Sequence, residues 1–393
     1  MPTRFHCMED FRDGAKLRLP RMMFDFIDGA AGQEHAARNN TETLDRLRLL
    51  PRVLVNVVNR KLEKTFLGQE WRLPFGIAPM GMCDFAWAGT DKALAHASEM
   101  HTIPLCLSTA ASISIEDAYR LSGKKTWFQL YVGESLESAL EMVKRAQTAG
   151  YEFLVLTVDT PQVAQRVRDL RNGFKVPFRI GPGQFMDFAM HPRWVFETLW
   201  AGVPQFANFP DSSKSGHNKS EYEGFFREET RGKVDWDFLK GLRDLWQGRL
   251  IVKGVLNPQD AKRIQDSGAD AIYVSNHGGR QLDSVPAAIQ MLPVIREAVG
   301  EGYPLLFDSG IRNGEAVVKA LALGADYVML GRPFLYAAGA DGERGIQRLV
   351  EMLSDEISLT LAQLGCTSVE ELNRSMIPYS MESLNFSSMS FSS

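Results

Sequence analysis

From Phe75 onward the chain alternates between two hydrophobic patterns. Short, almost wholly apolar runs recur at Phe75–Pro79, Pro104–Ser108, Thr126–Tyr131, Phe153–Val158, Leu250–Gly254, Ala271–Ser275, Pro304–Asp308 and Tyr327–Gly331. Runs this short, and apolar on consecutive positions, predict strands buried on both faces. Between most of them the apolar spacing becomes helical, as in Leu136–Thr148 after the third run and Pro258–Ser267 after the fifth. Eight strand-then-helix units predict an α/β fold, a closed (β/α)8 TIM barrel. No G-x-G-x-x-G opens a helix after the first run, which weakens the doubly wound alternative.

Three other stretches lie outside this alternation. Residues 1–70 predict a mostly helical lead-in, with Leu44, Leu47 and Leu50 at helical spacing before the stop at Pro51. A long excursion, residues 181–232, separates the fourth and fifth strands, and a connection of that length is usually functional or mobile. Its first part, His191–Trp200, is aromatic-rich and predicts an amphipathic helix, and its second, Asp211–Tyr222, is polar and predicts a flexible segment. The expected organisation is one barrel domain over residues 1–380, insertion included, followed by a disordered Ser- and Met-rich tail at 381–393.

Composition narrows the class. With 45% hydrophobic and 23% charged residues in 393, the chain can bury a large core. A net charge of −4 lacks the basic excess of a nucleic-acid footprint. Cys7, Cys83, Cys106 and Cys366 are too scattered for a disulfide framework or a zinc site, so no metal is expected and a reducing compartment fits best. Met1–Pro20 lacks the apolar core of a signal peptide, and no apolar run reaches the roughly 20 residues of a spanning helix. The expected location is cytoplasmic, with any membrane contact peripheral.

The chemistry gathers at the carboxyl ends of the strands, where barrels place their active sites. The richest end is Ser275-Asn276-His277-Gly278-Gly279-Arg280-Gln281-Leu282-Asp283. It sets a proton acceptor and a fixed cation around two glycines, the minimum equipment for removing a proton beside a carboxylate. Alone, it could be a glycine-rich turn facing solvent. The other strand ends argue otherwise: Met80-Gly81, Ser108, Gln129 with Tyr131, Thr157 with Asp159, Lys253, Asp308 with Gly310 and Arg312, and Gly331-Arg332. Core strands normally avoid Gln, Asp and Lys. The glycine turns after the last two strands suit a phosphate.

These residues resemble the FMN-dependent 2-hydroxy-acid oxidase and dehydrogenase family, the mandelate dehydrogenase-like members most of all, from about residue 15 to 375. Ser275-Asn276-His277-Gly278-Gly279-Arg280-Gln281 is the most specific motif. Phe128-Gln129-Leu130-Tyr131, Thr157-Val158-Asp159-Thr160-Pro161, Val252-Lys253-Gly254 and Asp308-Ser309-Gly310-Ile311-Arg312 support it. The resemblance implies FMN as cofactor and oxidation of an (S)-2-hydroxy acid, mandelate- or lactate-like, to the 2-oxo acid. Electrons would pass to quinone or another carrier. An oxidase using O2 and making H2O2 is the alternative, and a non-catalytic flavin-binding protein a minor one.

By resemblance, Pro79, Met80 and Gly81 offer backbone to the flavin ring, Ser108, Gln129 and Thr157 bond its polar edge, and Lys253 faces the N1 and C2 carbonyl side. A fixed ammonium there stabilises charge that arises only on reduction. Ser275, Asp308, Gly310, Arg312, Gly331 and Arg332 hold the ribityl and phosphate end. Arg280 and Arg166 grip the substrate carboxylate, Tyr131 meets the substrate oxygen, His277 is the base and Asp159 orients it. Gly81 also borders the substrate and favours the dehydrogenase reading.

Two positions depart from the family pattern: Phe26 stands where a tyrosine usually helps grip the carboxylate, and Ala164 replaces a glycine. The insertion resembles that of membrane-associated members, implying peripheral membrane contact through residues 185–210, on the inner face of the membrane. An aromatic stripe can equally pack on its own domain or on an oligomer neighbour. The family tends toward homo-tetramers.

Overall fold

The chain enters through three helices, α1 (Met8–Arg18), α2 (Arg21–Asp28) and α3 (His35–Arg46), in a computed structural model that describes residues 5–133, 136–174, 181–202, 204–209 and 234–378. The expected helical lead-in therefore ends at Arg46. Pro51 and the β-branched Val53, Val55, Val57 and Val58 disfavour helix beyond it, and this stretch is irregular, with Leu50 half exposed. A hairpin follows, β1 (Lys64–Phe66) against β2 (Gln69–Trp71).

The eight apolar runs all become strands: β3 (Phe75–Ile77), β4 (Leu105–Ser108), β5 (Thr126–Leu130), β6 (Phe153–Thr157), β7 (Arg249–Val255), β8 (Ala271–Val274), β9 (Leu305–Phe307) and β10 (Tyr327–Leu330). They pair in parallel in chain order, and β10 closes on β3. The crossovers are α4 (Thr90–His101), α5 (Ile115–Leu121) and α6 (Leu136–Ala149) before the insertion. After it come α10 (Trp236–Leu245), α11 (Pro258–Asp266), α12 (Ala288–Val299), α13 (Gly314–Ala322) and α14 (Arg332–Leu364), the last broken at Asp341-Gly342. α7 (Val167–Asn172) precedes the insertion, which supplies α8 (Pro182–Ala189) and α9 (Pro192–Ala201). His191–Trp200 is thus helical as expected, whereas Asp211–Tyr222 and the tail lie outside the described residues. No described helix is long and apolar enough to cross a membrane.

Two cores follow from the period-2 alternation of side chains along each strand. One parity packs outward under the helices, for example Leu107, Phe128, Leu156, Val252 and Ile272. The other fills the barrel: Cys106, Trp127, Val155, Ile251, Ala271, Tyr273, Leu306, Tyr327 and Met329. Phe66 and Trp71 of the hairpin close its amino-terminal end, their rings against Trp127 and Tyr327. One further inward step, two residues on, reaches Ser108, Gln129, Thr157, Lys253, Ser275 and Asp308. The same parity continues to Tyr131, Asp159 and His277. A single alternation therefore carries the packing of the interior and the polar residues above it.

Candidate active site

His277 sits just past β8 in a left-handed backbone conformation (φ +57), its N–H donating to Ser275 Oγ at 3.0 Å. Its Nδ1 faces both carboxylate oxygens of Asp159, at 3.1 and 3.2 Å, and its Nε2 lies 3.2 Å from the Tyr131 hydroxyl. Burial lowers the imidazole's pKa and the charge of Lys253 adds to this, while Asp159 works the other way. The ring is therefore neutral near pH 7, with Nε2 as its proton-accepting atom. Burial alone would raise the Asp159 pKa, but His277 and Lys253 outweigh it and the group stays ionised.

Gly254 makes this pair possible. It forms an irregularity in the β7–β8 pairing with φ +101, and a Cβ there would come within 2.5 Å of Asp159. Lys253, beside it, is buried at the top of the barrel. Its ammonium donates to Ser275 Oγ at 2.9 Å and lies 3.5 Å from Asp308. Burial opposes its charge, yet Asp308 and Asp159 leave its pKa raised.

Arg280, Arg166 and Arg332 share the rim. Burial drives the Arg280 pKa well down, and the other two guanidiniums push the same way. Clustered cations under such pressure form a site for an anion. Arg280 Nη1 donates to the Phe26 and Gly29 carbonyls, both at 2.8 Å, and Arg166 Nε has no hydrogen-bond partner among the described residues. Arg332 is committed to the carbonyls of Ile27, Gly278 and Gly29. The Phe26 ring lies 5.2 Å from the Arg280 guanidinium and stacks on Phe174, centroids 4.6 Å apart.

Phe26, Pro79, Met80, Gly81, Tyr131, Arg166, Lys253, His277, Arg280, Asp308, Gly310, Arg312, Gly331 and Arg332 line a single cleft. Ser108, Gln129, Thr157 and Ser275 are buried at the strand ends, and Asp159 stands behind His277. Gln129 donates to Thr157 Oγ1 at 2.9 Å, but its Oε1 is buried without a partner among the described residues. An acceptor so placed awaits an N–H from a bound molecule.

Sequence reasoning gave no role to several residues that shape this cleft. Asn276 and Asn40 of α3 exchange two hydrogen bonds of 2.8 Å. Ser309 Oγ holds the N–H groups of Asn276 and Gly278, and Asp283 accepts from Gln33 and Ala36 at the start of α3. Asn276, Ser309 and Gly254 lie within the quoted motifs. Asn40 and Phe174 carried no signal.

The sequence matches the FMN-dependent dehydrogenase family over residues 15–378. The chain belongs to this family. Its cofactor is FMN, and the unpaired Gln129 Oε1 suits the N–H of a flavin ring as the buried Lys253 suits its anionic reduced form. The chain is 40% identical to (S)-mandelate dehydrogenase of Pseudomonas putida over 367 residues, 93% of this chain and 92% of that protein. It is 38% identical to L-lactate dehydrogenase of Pseudomonas syringae pv. syringae (strain B728a), covering 94% of this chain and 97% of that one. The fold superposes on the crystal structure of the monotopic membrane protein (S)-mandelate dehydrogenase with TM-score 0.91 at 38% identity, covering 95% and 99% of the two chains. It superposes on mandelate oxidase with TM-score 0.80 at 32% identity, covering 94% and 97%.

Proposed function

We propose that this FMN-dependent enzyme oxidises an (S)-2-hydroxy acid, mandelate- or lactate-like, to the 2-oxo acid and passes the electrons to a quinone or another carrier. The observation that carries this reading is His277, held by Asp159 on one nitrogen and meeting Tyr131 on the other, beside clustered guanidiniums. Bound FMN supplies the two-electron acceptor. Arg280 and Arg166 bind the carboxylate and orient the carbinol, and Tyr131 donates its hydroxyl to the substrate oxygen. His277 Nε2 takes the proton leaving the substrate, and Asp159 stabilises the imidazolium that results. Pro79, Met80, Gly81, Ser108, Gln129, Thr157 and Lys253 hold the flavin ring. Ser275, Asp308, Gly310, Arg312, Gly331 and Arg332 hold the ribityl phosphate.

The same proposal assigns the acceptor to a lipid surface. Phe185 and Met186 of α8, Met190 just after it, and Phe196, Leu199 and Trp200 of α9 are each at least 60% exposed. The two helices are anchored from behind: Trp194 donates to the Phe85 carbonyl, Glu197 pairs with Arg18, and Asp187 accepts from the Arg21 N–H. An outward apolar face on a fixed base suits peripheral membrane contact. The unit proposed is one barrel domain, residues 1–380, cytoplasmic, assembled as a homo-tetramer.

Anaerobic mixing of the yellow protein with lactate, glycolate, mandelate and longer 2-hydroxy acids tests the activity. At least one acid should bleach the flavin, and His277→Ala should keep the colour and lose the bleaching. If no acid bleaches it, the chain is a flavin-holding protein. The likeness to mandelate oxidase favours a second reading, oxygen as acceptor, which peroxide formed in step with substrate consumption would establish.

A further inference from the structure

Among the aromatic rings that fill the barrel interior, one lies against the lysine of the cleft and has no role in the chemistry above. Tyr273 of β8 faces the axis, is fully buried, and is the cross-strand neighbour of Lys253 in the β7–β8 register. Its ring lies against the lysine, with Nζ 5.0 Å from the ring centroid. A buried tyrosine usually finds a partner for its hydroxyl, but this one makes no hydrogen bond of ordinary geometry among the described residues, only a weaker approach to the Asp308 carboxylate. The position therefore uses the ring more than the polar tip. Burial also pushes the phenol's pKa far up, so the group stays neutral beside the ammonium.

The lysine has two oxygen partners, Ser275 and Asp308. An ammonium has three N–H bonds, and a third oxygen would compete with the cofactor for the last of them. The negative face of an aromatic ring instead stabilises the charge without offering an oxygen acceptor, an effect that grows where water is excluded. We propose that Tyr273 is a positioning residue whose ring keeps the Lys253 ammonium charged and centred at the floor of the cleft, and so raises the redox potential of the bound FMN. The inference rests on the reading that Lys253 faces the flavin.

Reductive titration of the holoenzyme for the midpoint potential of bound FMN tests it. Tyr273→Phe should leave the potential nearly unchanged, because the ring remains and the lost hydroxyl made only a weak approach to Asp308. Phenylalanines with one, two and three ring fluorines at position 273 keep the shape nearly constant while draining the negative face. Along that series the reduced flavin should lose stability stepwise, about threefold to tenfold overall. For a two-electron couple that is a fall of about 14–30 mV. A merely space-filling ring would give a flat series and overturn the proposal. Lys253→Met separates the two claims. If it lowers the potential while the fluorine series stays flat, only the role of Tyr273 falls. If it leaves the potential unmoved, the placement of the lysine beside the flavin falls as well.

Discussion

As the proposed base, His277 has to be neutral, and its surroundings arrange this by burial and by the nearby Lys253 charge. Both depress its pKa below the ordinary histidine value of about 6.5. A base with a depressed pKa stays competent down to lower pH, so the acid limb of kcat/KM should fall below that value in a pH profile. Asp159→Asn removes the one neighbouring charge that favours imidazolium strongly. The limb should then move further toward acid while kcat drops roughly 10²-fold or more. An unmoved limb would mean that the titrating group is not His277. Phe26 invites the opposite experiment, because its ring lies beside Arg280 at the position where the family resemblance implies a tyrosine. A hydrogen bond to a charged group contributes about 1.5–3 kcal/mol. Phe26→Tyr should therefore lower KM for the acid about tenfold or more, read from initial rates, with kcat changed much less.

At the scale of elements, the strands were legible and the lead-in only partly so. Strands buried on both faces need consecutive apolar residues, and a run such as Phe153–Thr157 offers little else. The hairpin escaped notice because strands of three residues leave almost no periodicity to read. The polar site residues were legible for a related reason: Gln129, Lys253 and Asp308 interrupt apolar runs where a core would not tolerate them unpaired. What could not be read is contact between distant segments. Asn40 meets Asn276 across 236 positions, and Phe174 stacks on Phe26 from another distant stretch of the chain. Gly254 belongs with them, since its role depends on Asp159, just past the end of the neighbouring strand. Gly254→Ala places a methyl within 2.5 Å of that side chain at a backbone angle suited to glycine. The protein should keep its flavin spectrum and lose kcat on the scale of Asp159→Asn. Loss of the flavin at the same time would make Gly254 structural.

Over the whole molecule, the insertion gives the barrel a direction. Its exposed side chains on α8, on α9 and at Met190 between them stand on helices tied back to Phe85, just past β3, and to Arg18 and Arg21 of the lead-in. Burying a large apolar side chain contributes about 1.5–3 kcal/mol. The double change Phe196→Glu and Trp200→Glu should therefore release the protein from lipid vesicles by 100-fold or more in sedimentation. Its rate with a soluble dye should stay within about twofold, since neither residue lines the cleft. Arg193 is the only Lys or Arg in residues 181–202, so added salt should weaken the lipid binding little.

The aromatic hairpin at the opposite pole has its own kinetic consequence. With Phe66 and Trp71 stoppering that pole, the cleft at the carboxyl ends of the strands is, among the described residues, the doorway that reactant, product and electron acceptor share. The oxidised acid must then vacate before a bulky acceptor can approach, which is ping-pong turnover. Varying acid and acceptor together should give parallel double-reciprocal lines, and added 2-oxo acid should compete with the acceptor. Intersecting lines would mean a second way in.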